Sequence, residues 1–259
     1  MLMISSDQTL VTPAITPLYA IRRSQERGQT RLDWLDSWHT FSFGDYVDPQ
    51  HHHWGALRVI NDDIVKPASG FGTHPHNDME IVTWVMSGTL KHQDSLGNGT
   101  HIPAGDIQRM SAGTGIQHSE WHPSDTDPVH LLQIWIRPES KNIAPSYEQK
   151  TVVYPSHLTD WVTVASPSGG DHAVELHQQA WIFASGLIQE PCQRTISTQP
   201  DQRGWLHVIR GDVQVDLHDG ESRPETLNAG DALGFPGGVS CSVTLLPQSE
   251  ALWFVVPEA

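Results

Sequence analysis

Two short runs hold the residues best placed for chemistry: Gly72-Thr-His74-Pro-His76-Asn-Asp-Met-Glu80 and Gly115-Ile-Gln-His118-Ser-Glu120. Alternate side chains of an extended strand point to the same face. His74 and His76 therefore project together if the first run is a strand, and His118 and Glu120 do so in the second. Two such pairs facing each other supply three imidazoles and one carboxylate. That set suits a borderline divalent ion such as Fe, Ni, Cu, Mn or Zn, and an octahedral ion bound by four protein groups keeps positions open for substrate and water. Glu80 competes for the carboxylate position. A straight strand rising about 3.3 Å per residue carries it about 13 Å beyond His76. It reaches the ion only if the chain turns at Asn77-Asp78, residues that favour turns. Geometry alone ranks Glu120 first and Glu80 second.

With 16 His in the chain, one i,i+2 pair is expected by chance. The weight comes from a second pair of ligand types beside a glycine-rich turn. The His51-His52-His53 tract reads instead as a solvated loop. Gln133 shares a strand face with Leu131 and Trp135, pointing either into the pocket or outward, and Asp78 and Gln108 are candidate partners for the second ring nitrogen of a ligand histidine.

The elements that must position these residues are short strands. Val82-Met86, His130-Ile136, Trp205-Ile209 and Ala251-Val256 are apolar or alternating runs, and Ala56-Ile60 is another ahead of the first motif. Helix signals are sparse, and Ser24 to Trp38 is expected to hold one short helix. The pattern also repeats at about half the chain length. Gly88 to Gly97, Ala104-Gly-Asp106 and Ser111-Ala-Gly113 match Gly211 to Gly220, Ala229-Gly-Asp231 and Phe235-Pro-Gly237. Two small antiparallel barrels or sandwiches follow, joined through the polar, proline-bounded stretch from Arg137 to Ser146. Counting back from Gly211 as the histidines lie back from Gly88 lands on Ser197 and Gln199, and the later motif is matched by Val239 to Val243. Only the N-terminal half is expected to hold metal.

Bulk properties agree with a β protein and narrow its partners. The 259 residues include 21 Gly and 18 Pro, with only 17% charged residues, as short strands and many turns require. A formal charge of -15 disfavours nucleic acid and anionic membranes, which select Lys/Arg clusters. Arg22-Arg23 alone approaches one. The N-terminal Met1 to Asp7 lacks a basic and an apolar leader region, and no eighteen apolar residues run together, so a soluble, cytoplasmic chain is expected. Cys192 and Cys241 are read as reduced thiols, and the chain as a monomer.

The ordered motifs carry a family resemblance. Trp38-His-Thr-Phe-Ser-Phe-Gly-Asp-Tyr46, Leu57-Arg-Val-Ile-Asn61, Gly70-Phe-Gly-Thr-His-Pro-His76, Asp78-Met-Glu80, His92-Gln-Asp-Ser95, Gln108 to Ile116 and His118-Ser-Glu120 resemble the pirins, most closely the bacterial pirin-like proteins. The likeness is dense from about residue 30 to 150. It implies an all-β bicupin of two tandem cupin barrels, with residues 1–140 holding the metal site and 141–259 lacking the ligands. It implies one mononuclear divalent ion on His74, His76, His118 and Glu120, with Fe(II) expected and Ni, Mn, Cu or Zn as alternatives, and it sets Glu80 aside.

The resemblance further implies quercetin 2,3-dioxygenase activity, in which O2 opens a flavonol ring with loss of carbon monoxide. Glu120 would then serve both as ligand and as base. Two other classes compete: a regulatory binding protein whose metal redox state alters a docking face, and a cupin isomerase or sugar binder, for which Arg58 and Arg109 are the candidate cationic groups. An open, flavonol-sized cavity separates the first reading from the second.

Overall fold

The computed structural model describes residues 19–155, 160–218 and 222–258; the N-terminal Met1 to Asp7 lies outside them. Strands in the first half are β1 (Ala20–Arg22), β2 (Gly28–Arg31), β3 (Leu35–His39), β4 (Leu57–Val65), β5 (Gly70–His76), β6 (Glu80–Ser87), β7 (Thr89–Asp94), β8 (Gly99–Pro103), β9 (Asp106–Ser111), β10 (Ile116–Trp121), β11 (Val129–Ile136) and β12 (Ser146–Thr151). The second half holds β13 (Val162–Ser166), β14 (Val174–Glu175), β15 (Trp181–Ala184), β16 (Cys192–Ser197), β17 (Gln202–Arg210), β18 (Val213–His218), β19 (Ser222–Leu227), β20 (Ala232–Phe235), β21 (Ser240–Leu245) and β22 (Glu250–Pro257). All five strands read from the apolar runs are present. Among the described residues no helix is long and apolar enough to cross a membrane.

The expected helix between Ser24 and Trp38 is corrected. Only a 3-10 turn forms, at Ser24–Glu26, and the chain then enters β2 and β3. Period-2 burial overrides helix propensity here: Leu35, Ser37 and His39 are buried while Asp36 and Trp38 are half-buried, because β3 pairs along β4.

The repeat seen in the sequence is a repeat of sheets. Each half contributes a four-stranded sheet, β5-β10-β7-β8 or β16-β21-β18-β19, and the core of a seven-stranded one, β12-β9-β6-β11-β4-β3-β2 or β1-β20-β17-β22-β15-β13-β14. This is the architecture of two cupin barrels. The halves exchange their edges: β1 precedes the first barrel yet pairs with β20 of the second, and β12 follows the interbarrel loop yet pairs with β9 of the first. Each exchange covers a sheet edge that would otherwise be open to foreign strands.

A shared apolar layer lies between the large sheets. Val82, Trp84, Ile134 and Ile136 from one side meet Val164, Ile182, Trp205 and Phe254 from the other. β6 and β11 bury both faces, one toward this layer and one toward the barrel interior, so they read as continuous apolar runs rather than strict alternations.

Strand register shows what became of the site in the second barrel. Glu120 lies opposite His92, and Val243 lies opposite Val215 at the matching step. Cys241, two residues earlier, therefore matches His118, and its neighbour Ile196 matches His74. Ile196 and Thr198 thus replace Ser197 and Gln199 as the counterparts of His74 and His76, because the connection after β16 is one residue longer. The same bookkeeping sets Trp253 against Gln133 and Gly204 against Ile81. Ile196, Cys241, Val243 and Trp253 belong to one packed apolar cluster. Cys192 and Cys241 are both free.

Gly204 is small because the Trp253 ring fills its space. A Cβ built there would sit 2.0 Å from the indole edge. Gly204→Ala is expected to cost about 1–3 kcal/mol of stability by overpacking, read from urea denaturation, with metal affinity of the first barrel unchanged.

Candidate metal centre

β5 and β10 run antiparallel with His118 directly opposite His74. The register then slips before Glu120, which faces Phe71. This β-bulge lets Phe71 share a face with His74 and His76 although strict alternation forbids it. Gly70 allows the close approach that follows, since a Cβ there would lie 2.2 Å from the Glu120 carbonyl oxygen. The ring centroids are 4.4 Å apart for His74 and His118, 4.8 Å for His74 and His76, and 4.9 Å for His76 and His118. Their nitrogens all lie within 4.8 Å of one another.

Both ring nitrogens of His118 are buried without a hydrogen-bond partner, a costly state for a polar group unless something else takes its lone pair. Burial, with His74 and His76 adding repulsion, pushes its pKa down to about 2. Burial likewise pushes His76 down to about 4, with His74 contributing. Such imidazoles stay neutral and keep a lone pair for a cation. His74 donates from Nδ1 to the Gly72 carbonyl at 2.7 Å, which fixes its ring. The donor set fits a divalent ion.

Glu120 is buried, and its carboxylate accepts hydrogen bonds from Gln133 Nε2 at 2.8 Å and Thr83 Oγ1 at 3.5 Å. Burial raises its pKa, and the Gln133 bond opposes that shift. These bonds hold it in a second group of donors, with His118 and His92, again within 4.8 Å. His118 is thus common to both groups. His92 is fully buried, and its Nε2 lies 3.0 Å from Asp94 Oδ2.

Known proteins resemble this chain over most of its length. A family model described as Pirin matches residues 20–136, and one described as Quercetinase C-terminal cupin domain matches residues 163–256. A quercetin 2,3-dioxygenase of Escherichia coli strain K12 is 46% identical over 195 residues, 75% of this chain and 83% of that one. The chain belongs to the pirin family. A pirin-like protein of Caulobacter vibrioides is 38% identical over 218 residues, covering 84% of this pirin and 90% of that protein. The crystal structure of the bacterial pirin YhhW from Escherichia coli, in complex with nickel(II), superposes with a TM-score of 0.84 at 40% identity, over 93% of this chain and all of that one.

In this pirin the imidazoles open on a cavity of about 400 Å³, within the range of small-molecule sites, roughly 300–1,000 Å³. Trp34, Phe43, Phe71 and Trp135 form aromatic walls, and Ser37, His39, Asn61, Asp63 and Gln133 supply polar ones. Gln133 therefore faces the pocket. Glu80 does not: Asp78 does turn the chain, with φ of 47°, but Glu80 falls in the opposite phase of β6 from the cavity-lining Ile81. Its carboxylate accepts from Ser111 Oγ at 2.9 Å and from the His177 backbone at 3.2 Å.

Asp78 and Gln108 do not bond the imidazoles. Asp78 Oδ1 accepts from the Asn142 backbone, and Gln108 Oε1 is buried without a partner. The His51–His53 tract lies apart from the centre, His51 holding Asp48 and His53 the Gly55 carbonyl. Sequence reading missed Thr83, His92, His39 and Asp63. A usable signal existed for Asp63: it occupies the inward phase of β4 together with Leu57, Val59, Asn61 and Val65, where a polar residue needs a reason.

The depressed imidazoles make acid stability a test. Below about 6.5, the ordinary histidine value, unfolded His76 and His118 take up protons while the folded ones stay neutral until about 4 and about 2. Metal-free protein should lose stability as pH falls from 6.5 toward 4. His118→Gln should flatten that slope by up to about 1.4 kcal/mol per pH unit in a series of urea titrations; an unchanged slope would contradict the buried neutral imidazole.

Proposed function

We propose that this chain is a metal-dependent dioxygenase that opens flavonol-like rings with O2. The observation that carries this reading is a flavonol-sized, aromatic-walled cavity onto which the three imidazoles and Glu120 converge. His74, His76 and His118 would hold the ion with Glu120 as the fourth donor. Fe(II) is the ion proposed, and the nickel(II) complex of YhhW makes Ni(II) the first alternative. When bound, the ion supplies Lewis acidity toward the substrate's 3-oxygen and a redox partner for O2.

The protein's own groups do the rest. Glu120, its basicity raised by burial, takes the proton of the flavonol 3-hydroxyl. Gln133 and Thr83 hold that carboxylate by their hydrogen bonds, so its position does not depend on the ion alone. Trp34 against Phe71, and Phe43 against Trp135, pack edge to face with centroids 5.0 and 5.5 Å apart. These pairs give a stiff apolar slot for a flat ring system and keep water from the reacting carbon.

His74 and His76 are half-buried rather than sealed, which supports substrate access over a closed regulatory site. The sugar-isomerase reading loses its cationic groups. Arg58 is tied to the Ser42 and His52 carbonyls, and Arg109 to the Glu175 carbonyl and Ser146. Neither lines the cavity. The relatives named quercetin 2,3-dioxygenase support the same choice.

Oxygen uptake with quercetin, on anaerobically purified protein reconstituted with Fe(II), Ni(II), Mn(II), Cu(II) or Zn(II), tests the proposal. Glu120→Gln should retain metal and lose about 10²–10⁴-fold in rate. His118→Ala should lose stoichiometric metal and all uptake. Fully loaded wild-type protein that consumes no oxygen would overturn the reading.

A further inference from the structure

The cavity holds a second carboxyl that the proposed chemistry leaves unused. Asp63 lines it and is 3% exposed, and its Oδ1 is buried without a hydrogen-bond partner. It is not part of either donor group at the metal centre. On the large sheet Gln133 sits beside Asn61, and Asp63 lies two residues further along β4. Strand spacing puts it about 8 Å from the Gln133 backbone, which is a different place along the cavity from Glu120. Ser37 is its cross-strand neighbour.

Neighbouring Asn61 is already engaged. Its Oδ1 lies 2.8 Å from His39 Nδ1, whose Nε2 lies 2.8 Å from Thr30 Oγ1. That chain fixes His39 and Asn61 as wall, whereas Asp63 is the wall residue with an unmatched oxygen. We propose that Asp63, with Ser37, is a subsite that binds a phenolic hydroxyl of the substrate, so that the cavity selects polyhydroxylated flavonols over those bearing the 3-hydroxyl alone. A phenol is the matching partner because it donates to a carboxyl oxygen while its ring stays in the apolar slot. Burial, together with the charges of Asp62 and Glu120, pushes the Asp63 carboxyl up to about 7 against the opposing Ser37 bond. Near neutrality it therefore both accepts from and donates to a hydroxyl, where an ionised carboxylate only accepts. The matching step of the second barrel, beside Ala251, is Ser185, whose hydroxyl is consumed by the Gly186 carbonyl and the Ala251 amide.

This assignment rests on the flavonol reading of the cavity, and its test separates the two. Ni(II)-loaded protein kept anaerobic is titrated with 3-hydroxyflavone and with quercetin, following tryptophan fluorescence. Wild type should bind quercetin about 3- to 10-fold more tightly. Asp63→Leu should bring the two affinities together by weakening quercetin binding. Asp63→Asn, closer in shape and polarity, should keep part of the preference and guards against a folding defect. Equal affinities in wild type, or an undiminished preference in Asp63→Leu, would overturn the subsite. Oxygen uptake is then measured on the same proteins loaded with Fe(II). A preference that depends on Asp63 without any uptake would remove the oxygenase reading and leave the subsite standing, while uptake with no such preference would do the reverse.

Discussion

The antiparallel pairing of β5 with β10 is the constraint on which the rest depends. It places His118 across from His74 and, through one bulge, turns Phe71 and Glu120 to the same side. Neither strand brings a complete donor set, and each supplies two groups by simple alternation. The backbone ladder brings the nitrogens of His74, His76 and His118 within 4.8 Å of one another, and Glu120 within the same span of His118. Gly70 leaves room for the Glu120 carbonyl, which a Cβ there would meet at 2.2 Å.

Around that pairing, burial sets the protonation states. Desolvation disfavours charge of either sign, so it lowers His76 and His118 and raises Glu120 and Asp63. A cavity of neutral imidazoles beside a carboxyl is suited to receive a divalent cation. The hydrogen bonds of Gln133 and Thr83 act against desolvation at Glu120. They favour the charged form, in opposition to the burial that raises its pKa.

The second barrel shows the same frame with the chemistry removed. Ile196, Cys241 and Val243 stand where the first barrel has His74, His118 and Glu120, and the Trp253 indole occupies the space above Gly204. Its contribution is mechanical: a common apolar layer behind β6 and β11, and an exchanged strand at one edge of each large sheet. The strands that carry Gln133 and Thr83 are thereby packed on both faces, which stiffens the site.

Much of this was legible in the residues. The alternation in His74-Pro-His76 and His118-Ser-Glu120 gave the candidate donors, the Gly-Asp turns gave two copies of one sheet pattern, and the apolar runs gave the interior strands. These signals are local, because strand periodicity and turn chemistry act over a few residues. The span from Ser24 to Trp38 was misjudged because β3 forms by pairing with β4 and β2 by pairing with β3. Glu80 stayed open because its fate depends on the phase of β6 after a turn. His39, Thr83 and His92 were silent, since their strands could have faced either way until packed, and Asp63 was marked only by its phase among the inward residues of β4. The sequence by itself determined the chemical types of the site and the repeating β frame. Tertiary structure decided which carboxyl faces the imidazoles, which polar groups wall the cavity and which barrel stays hollow, because those depend on register and burial between segments far apart in the chain.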